Sequence, residues 1–252
     1  MRIFISIVSH GHCSLIKEIG LIQRLAYDFE LVIKSNKPGD DFSSYSHLDK
    51  FHWLDGDYGL GFGANNNAVF EYCNQSLGMT GEDYFLVINP DVDIELSTIQ
   101  NLVSMMQSDK VRIAAINLFK DSEYEVFDCS IRNFPTFYTF SKSMLGLGND
   151  SIIDKSSIHS PIDVDWASGS FLAFLSSHYH ALGGFDEKYF MYCEDVDICF
   201  RSKLLGSPVR YFPSILAIHH AQHANRNVFS KHFVWHLHSA YRFLRLQSKS
   251  KL

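Results

Sequence analysis

The sequence lacks most features of secreted, membrane-spanning and nucleic-acid-binding proteins. Its five cysteines are odd in number and scattered, and none lies in a Cys-x-x-Cys pair, which argues against a disulfide framework or a zinc site. No apolar run approaches the roughly 18 residues that a transmembrane helix needs, and the N-terminus has no signal-peptide layout. The net charge is −6, so no general basic field favours nucleic acid. These absences indicate a globular protein whose thiols stay reduced, as in the cytosol.

The composition and the opening pattern predict an α/β fold. Of the 252 residues, 46% are hydrophobic and 20% charged, which is ordinary for a protein that forms a core. Residues 3–8 and 29–33 are apolar runs typical of strands, and a helical pattern lies between them. Such a β-α-β unit implies a parallel pair of strands joined by a right-handed crossover.

Residues 84–93 contain the strongest indication of a site. The unbroken apolar run at 84–88 predicts a strand buried on both faces at the centre of a parallel sheet. Pro90 ends that strand, and Asp91 and Asp93 follow where open α/β sheets bind ligands. Carboxylates are the oxygen ligands that Mg²⁺ or Mn²⁺ prefers. Asp-x-Asp occurs four times in the chain but follows a buried strand only here, so metal binding and a solvated turn are both open interpretations.

A glycine-rich stretch precedes another predicted helix. Three alternate glycines at 59–63 followed by three asparagines at 65–67 predict a backbone that approaches a ligand closely at a helix N-terminus. The stretch is neither a Walker loop nor a dinucleotide fingerprint. The asparagines could instead cap the helix, although three exceed what a cap needs, which favours ligand contact.

A second group of carboxylates, Glu194, Asp195 and Asp197, opens a predicted helix. Crowded acids perturb each other's pKa, which poises one of them as a proton acceptor, although acids in a first turn also simply suit the helix dipole. The small residues at 167–170 leave room for a bulky ligand against the backbone. His219 ends an apolar run and is open to two interpretations, a metal ligand or a structural histidine.

Together these segments resemble the inverting family-2 glycosyltransferases with the GT-A fold. The similarity is greatest to the bacterial rhamnosyltransferases that build O-antigen and other surface polysaccharides. The segments appear in the family's order and span nearly the whole chain. They are residues 7–9, 61–67, 89–93, 166–170, 184–197 and 217–223.

The resemblance implies an architecture and a role for each motif. The fold would be a Rossmann-like, mostly parallel sheet with helices on both faces, divided into a nucleotide-sugar half (1–119), an acceptor half (120–225) and a basic C-terminal helix (226–252). Asp195 would be the general base beside Glu194. Mg²⁺ or Mn²⁺ would be held by Asp91, Asp93 and His219, with Asp93 as the more direct ligand. The acceptor would meet Trp166, Ser168 and Gly169. The residues assigned to the nucleotide sugar are Ser9, Ser35, Asn36, Gly63, Asn66, Asn67 and Asp91. Many relatives carry Asp where Ser35 stands.

The resemblance also implies a reaction and a location. A sugar, L-rhamnose from dTDP-L-rhamnose, would pass with inversion to a polyprenyl-diphosphate-linked saccharide at the cytoplasmic face of the bacterial inner membrane. Three alternatives are a UDP-galactofuranose or UDP-galactose donor, a sugar-1-phosphate nucleotidyltransferase, and an inactive sugar-binding subunit. The loop at 9–12 lacks the Gly-rich, Arg- and Lys-bearing pattern of the nucleotidyltransferases, and intact Asp93 and Asp195 argue against an inactive subunit.

The C-terminal segment is both apolar and basic. Apolar residues recur every three to four positions, and residues 226–252 contain six Lys or Arg residues with no acid among them. Two interpretations are open: a helix packed on the core, or an amphipathic helix on an anionic membrane leaflet. The predicted apolar stripe is Phe229, Phe233, Leu237, Ala240 and Leu244.

Overall fold

The computed structural model describes residues 1–144, 147–220 and 231–250. The strands are β1 (Ile3–Ser9), β2 (Glu30–Ser35), β3 (Phe51–Asp55), β4 (Tyr84–Ile88), β5 (Val92–Asp93), β6 (Ile113–Phe119), β7 (Ile131–Arg132), β8 (Ile162–Val164), β9 (Trp166–Ala167), β10 (Phe171–Leu175) and β11 (Val209–His219). The α-helices are α1 (Cys13–Ile19), α2 (Leu21–Leu25), α3 (Phe62–Gln75), α4 (Leu96–Ser108), α5 (Phe137–Met144), α6 (Ser176–Leu182), α7 (Glu194–Leu204) and α8 (Lys231–Lys249).

Nine of these strands form one mixed sheet. Its order is β3-β2-β1-β4-β10-β6-β11-β5, and β8 also pairs with β11. Strands β1 to β4 are mutually parallel, as predicted, and β10 runs antiparallel between β4 and β6. The sheet therefore joins strands from both predicted halves of the chain. A separate two-stranded ribbon pairs β7 with β9, with Arg132 opposite Trp166.

The predicted central strand is confirmed, and its alternation explains the layers. All five residues of β4 are buried. Leu86 and Ile88 point into the core covered by α1, α2 and α4, whereas Phe85 and Val87 point into the core covered by α3, α6 and α7. Because successive side chains of a strand face opposite ways, an unbroken apolar run needs helices on both sides.

The polar loops lie together at one edge of the sheet, formed by the ends of its strands. Strands β1, β2, β4 and β6 all end there because they run in the same direction, and antiparallel β10 begins there. The loops at 9–12, 35–40, 89–91 and 120–130 are thereby brought to the same edge as the loop at 168–170. This edge carries the candidate site.

Helix α8 packs on the core through part of its length. Phe243 is fully buried between the rings of Phe200, at 5.6 Å, and Phe134, at 6.2 Å. Ala240 of the predicted stripe is buried, but Leu237 is 40% exposed. The buried face of the helix contains Ser239, Ala240 and Phe243 instead. Phe229 and the side chain of Phe233 lie outside the described residues. Within the described ranges, no helix has the length and apolarity needed to cross a membrane.

Candidate active site

His219 stands between two carboxylates at the carboxyl edge of the sheet. Its Nδ1 lies 2.6 Å from Asp128 Oδ2, and its Nε2 lies 3.4 Å from Asp91 Oδ1. Strand β5 places Asp91 there by pairing antiparallel with the end of β11, where the backbone N–H of His220 donates to the Asp91 carbonyl. All three side chains are largely buried, so their charges interact strongly.

This cluster favours bound positive charge. Burial lowers the pKa of the His219 imidazole, but its hydrogen bonds to Asp128 and Asp91 outweigh burial and raise the pKa to about 9. Burial likewise raises the pKa of the Asp91 carboxyl, but the hydrogen bond and charge of His219 reverse that effect and hold the pKa below its ordinary value. The imidazolium of His219 itself supplies the positive charge between the two carboxylates, and a divalent ion would take its place by displacing the proton from Nε2.

The donor set fits a divalent cation. Adjacent ligands of an octahedral Mg²⁺ lie roughly 3.0 Å apart when the bonds are about 2.1 Å, close to the 3.4 Å between His219 Nε2 and Asp91 Oδ1. A histidine that binds a metal usually gives its other ring nitrogen to a carboxylate, and Asp128 occupies that position. The described residues contain no group of three or more ligating side chains already gathered around one point. Further ligands would come from substrate oxygens or water.

Asp93, predicted to be the more direct ligand, lies in a different environment. Its carboxylate accepts a hydrogen bond from Arg24 of α2, and the same guanidinium lies 3.3 Å from Glu95. Asp91, rather than Asp93, is the member of the pair that lies beside His219.

Glu194 and Asp195 form a second, contrasting pair at the start of α7. Asp195 accepts hydrogen bonds from the backbone N–H of Gly169 at 3.0 Å and of Val196 at 2.8 Å. Burial raises the pKa of Asp195, and burial together with the charge of Asp195 raises that of Glu194. Glu194 Oε2 is buried and has no hydrogen-bond partner among the described residues. The pair therefore binds a proton more readily than ordinary carboxylates do.

A strained turn presents this pair. Tyr192 and Cys193 both have positive φ, 71° and 65°, a conformation that costs non-glycine residues about 1–3 kcal/mol each. The preceding loop is held from α8, where Ser239 donates to the Met191 carbonyl at 3.0 Å. Helix α8 thus supports the segment that aims Glu194 and Asp195.

The three residues predicted to meet the acceptor lie beside Asp195. Trp166 is buried and donates its indole N–H to the Asn133 carbonyl at 2.9 Å. Ser168 shares a hydrogen bond with Ser170 at 3.0 Å, and its backbone N–H donates to the Ser130 carbonyl at 2.8 Å. A Cβ on Gly169 would lie 3.0 Å from the Phe62 ring, so this glycine permits close packing over the carboxylate.

The glycine-rich stretch packs against protein rather than open space. A Cβ on Gly63 would lie 2.7 Å from Phe185 Cβ, so the glycine there lets α3 approach that loop. Asn67 donates to the Phe185 carbonyl and Glu187, and accepts from Tyr179 and the Phe185 N–H. Asn66 accepts from Ser6 of β1 at 2.7 Å. These contacts fasten the loop that leads to Glu194 and Asp195, and the nucleotide contacts assigned to the three residues stay predictions.

The residues predicted to hold the nucleotide base are similarly engaged. The Ser9 hydroxyl accepts from the His12 N–H at 2.9 Å. Both atoms of the Asn36 side-chain amide bind the Leu60 backbone at 2.9 Å. Ser35 is fully buried, accepts from the Trp53 indole and donates to Asp40 Oδ2, both at 2.9 Å. The carboxylate at the end of β2 is therefore supplied by Asp40.

Four residues at this edge carry no local signal in the sequence: Arg24, Asp40, Asp128 and Arg132. Asp40 lies one position from a second aspartate, and Asp128 and Arg132 lie in a stretch without clear periodicity. No local pattern marked them. Asp128 pairs with His219, 91 residues away, and Arg24 with Asp93, 69 residues away, whereas Asp40 bonds to Ser35 only five positions back.

Solved structures with this fold are GT-A sugar-nucleotide enzymes. A mannosyltransferase from Pyrobaculum calidifontis in complex with GDP-Man and Mn²⁺ superposes with a TM-score of 0.61 at 16% identity, covering 96% of this chain and 64% of that one. S. aureus TarS 1-349 in complex with UDP-GlcNAc gives 0.58 at 12% identity, covering 89% and 60%. These superpositions show that the chain has the GT-A fold.

Sequence relatives narrow the class. The chain is 37% identical over 250 residues to the rhamnosyltransferase WbbL of Escherichia coli (strain K12), covering 96% of this chain and 92% of that protein. It is 30% identical over 204 residues to the N-acetylglucosaminyl-diphospho-decaprenol L-rhamnosyltransferase of Mycobacterium tuberculosis, covering 73% of this chain and 64% of that longer protein. A scan against models of protein families found no match. The chain belongs to the family-2 glycosyltransferases of GT-A fold, among the relatives of bacterial rhamnosyltransferases.

Proposed function

We propose that this enzyme transfers L-rhamnose from dTDP-L-rhamnose, with inversion, to a polyprenyl-diphosphate-linked saccharide in the synthesis of a surface glycan such as O-antigen. The observation that carries the proposal is the 37% identity to a rhamnosyltransferase along nearly the whole of both chains. The more distant mycobacterial relative, whose name specifies an N-acetylglucosaminyl-diphospho-decaprenol acceptor, supports the lipid-linked acceptor.

Asp195 is the general base of this reaction. The acceptor hydroxyl loses its proton as it attacks the anomeric carbon, and a carboxylate within hydrogen-bond reach accepts it. Two backbone N–H groups and the charge of Arg132 favour ionised Asp195, whereas Glu194 Oε2 has no such partner. Glu194 therefore holds the proton that the crowded pair retains, and Asp195 stays free to accept another.

Asp91 and His219 would hold the divalent ion, Mg²⁺ or Mn²⁺, and Asp128 orients the His219 ring. A cation there would supply positive charge against the departing nucleoside diphosphate. Asp93 acts differently, because its ion pair with Arg24 ties β5 to α2 and so fixes the strand that carries Asp91.

Asp40 recognises the base of the donor. Its carboxylate is 7% exposed, and Ser35 holds Oδ2 at the end of β2. A carboxylate accepts the ring N–H that thymine and uracil carry and cytosine lacks. This assignment accommodates both dTDP and UDP donors, so it does not choose between rhamnose and a galactose-type sugar.

A donor panel tests the proposed reaction. Purified enzyme with Mn²⁺ is given dTDP-L-rhamnose, UDP-galactose or UDP-galactofuranose and an N-acetylglucosamine acceptor linked to an alkyl diphosphate. We expect transfer from dTDP-L-rhamnose, abolished by EDTA and restored by Mn²⁺. If only a UDP-sugar supports transfer, that sugar replaces L-rhamnose as the proposed donor sugar. If no donor supports transfer, the result favours an inactive sugar-binding subunit.

The enzyme works at the anionic inner leaflet of the bacterial membrane, where a lipid-linked acceptor resides. Support comes from α8, whose outer face exposes Val234 and Tyr241 by 64% and 66% and continues to Arg245 and Lys249. Apolar and basic residues on one helix suit an anionic bilayer surface.

Co-sedimentation with anionic and neutral vesicles tests this location. We expect salt-sensitive binding to anionic vesicles that weakens when Val234 and Tyr241 are both changed to Ser. Changing exposed Tyr124 to Ser, away from α8, provides the control. Equal sedimentation of both variants and the wild type would show that the exposed face of α8 does not contribute to membrane binding.

A further inference from the structure

Arg132 differs from the other partly buried arginines in its lack of a carboxylate partner. Salt bridges join Arg24, Arg201, Arg210 and Arg242 to aspartates, whereas within the described ranges no carboxylate lies at salt-bridge distance from Arg132. Its guanidinium is nonetheless held in place. Nε donates to the Cys129 carbonyl at 2.8 Å, and the group lies over the Trp166 ring, 5.3 Å from its centroid.

This arrangement leaves the end of the guanidinium available. The hydrogen bond to Cys129 uses Nε, and the Trp166 ring covers one face, which leaves the two terminal nitrogens as donors. A planar guanidinium held in one orientation is suited to bind phosphate through two parallel hydrogen bonds. The chemistry of the group therefore points to a phosphoanion.

The position of Arg132 assigns that anion to the acceptor. Strand β7 places it opposite Trp166, three residues from Gly169, whose N–H holds Asp195. In an inverting displacement the nucleophile and its base lie on one face of the anomeric carbon and the leaving group on the other. A cation on the side of Asp195 is thus on the acceptor side, away from the departing nucleoside diphosphate.

The neighbouring surface suits an acceptor with a lipid chain. Phe137 and Tyr138, five and six residues beyond Arg132 at the start of α5, are 75% and 67% exposed. Arg132 thus has an exposed apolar pair close to it in sequence, and it lies near enough to Asp195 for its charge to favour the ionised carboxylate. A polyprenyl-diphosphate-linked saccharide offers a lipid, a diphosphate and a sugar hydroxyl to these three features.

We infer that Arg132 binds the diphosphate of the lipid-linked acceptor and that the enzyme selects acceptors by this charge. The inference rests on the proposed function, which supplies the acceptor class, and adds the residue that recognises it. Arg132 is then a specificity-determining residue on the acceptor side of the site.

Two matched acceptors test the inference. Both carry N-acetylglucosamine on the same alkyl chain, joined in one through a diphosphate and in the other through a glycosidic oxygen. We expect the wild type to prefer the diphosphate acceptor. Arg132→Gln should raise the KM for that acceptor about tenfold to hundredfold, the range for hydrogen bonds to a charged group, and leave the KM for the neutral acceptor unchanged. Arg132→Lys should restore part of the preference.

The control is Arg112→Gln, which removes the same charge from an exposed position at the opposite end of β6. Thermal unfolding of each variant verifies that the β7–β9 ribbon remains folded. Because the charge of Arg132 also favours ionised Asp195, we expect kcat to fall on both acceptors alike. An equal change in KM for both acceptors, or a change for neither, would overturn the inference. Weaker binding of dTDP in calorimetry, with the acceptor preference intact, would move the contact to the donor and also overturn it.

Calorimetry of the alkyl-diphosphate acceptor in EDTA separates this inference from the proposed function. Binding that Arg132→Gln weakens and Arg112→Gln preserves would support the diphosphate site even if no sugar donor were used. Sugar transfer by a wild type whose diphosphate binding is unaffected by Arg132→Gln would uphold the proposed function and refute the site.

Discussion

The two carboxylate sites at the edge of the sheet use the same chemical group in opposite environments. Asp91 faces His219, whose hydrogen bond and charge overcome burial and lower the carboxyl pKa. Asp195 faces Glu194 and has no salt-bridge partner among the described residues, so burial raises its pKa. The first environment stabilises an ionised carboxylate that attracts a cation, and the second stabilises a carboxylate that takes up a proton. The charge that faces each carboxylate, together with its burial, sets the direction in which its pKa shifts.

Removing the base should have the largest effect. Asp195→Asn keeps an oxygen acceptor for one of the two backbone N–H groups, which donate to different carboxylate oxygens, but it cannot accept the hydroxyl proton. We expect turnover to fall about 10²–10⁴-fold while dTDP affinity in Mn²⁺ stays unchanged. Steady-state kinetics and calorimetry measure the two quantities. Asp163→Asn, at a half-exposed position on β8, is the control, and near-normal turnover of Asp195→Asn would assign the base elsewhere.

Substitutions that compare Asp91 with Asp93 should give the next largest effect, a change in the Mn²⁺-dependent affinity for dTDP. Asp91→Asn and Asp128→Asn should each weaken Mn²⁺-dependent dTDP binding at least about tenfold to hundredfold. That range is the usual effect of changing a residue that orients a metal ligand. Asp93→Asn should leave that affinity unchanged and lower the free energy of unfolding by up to about 1 kcal/mol, because its ion pair with Arg24 is partly exposed.

Calorimetry of dTDP with Mn²⁺, together with denaturant unfolding, provides the test. The opposite result, in which affinity depends on Asp93 and is indifferent to Asp91, would restore the original assignment of Asp93 as the more direct ligand.

The smallest expected effect is the pH dependence of stability that Glu194 confers. Its pKa is raised in the folded protein by burial and by Asp195, so the folded state retains a proton that the unfolded chain releases. The stability from protonated Glu194 is fully present below the ordinary carboxyl pKa and is lost as pH rises through the raised value. Glu194→Gln should flatten this decline, as measured by unfolding midpoints across pH. An unchanged slope would show that Glu194 ionises normally.

Local sequence predicted the elements whose signal lies within a few residues. The apolar run of β4 specified a strand buried on both faces, and Pro90 marked its end. The acids at 194–197 correctly marked the start of α7. These predictions succeeded because side-chain periodicity and backbone hydrogen bonding act over neighbouring positions.

The roles of the polar residues depended on distant partners. Asn67 bonds to a loop 118 residues away, and Asp93 accepts a hydrogen bond from Arg24, partners that no local pattern indicated. Their assignments as a nucleotide contact and a metal ligand stay predictions. The stripe of α8 shifted for a similar reason, since Phe200 and Phe134 determine which face is buried and leave Leu237 exposed. A polar side chain takes whichever partner the packed chain offers, and that partner is invisible to a local pattern.

The sequence by itself determined the α/β class, the central strand, the two acidic motifs and the family resemblance. Each of these depends on short-range patterns or on motifs that occur in a fixed order. Only the tertiary structure decided that His219 joins Asp91 to Asp128 and that Asp40 supplies the carboxylate at the end of β2. It also placed Arg132 near Asp195 with no salt-bridge partner in the part of the chain that the structure describes. The physical reason is the distance along the chain between the residues that interact. Strand and helix formation depend on neighbouring residues, whereas the charge of a site is the sum of groups that the fold brings together from far along the chain.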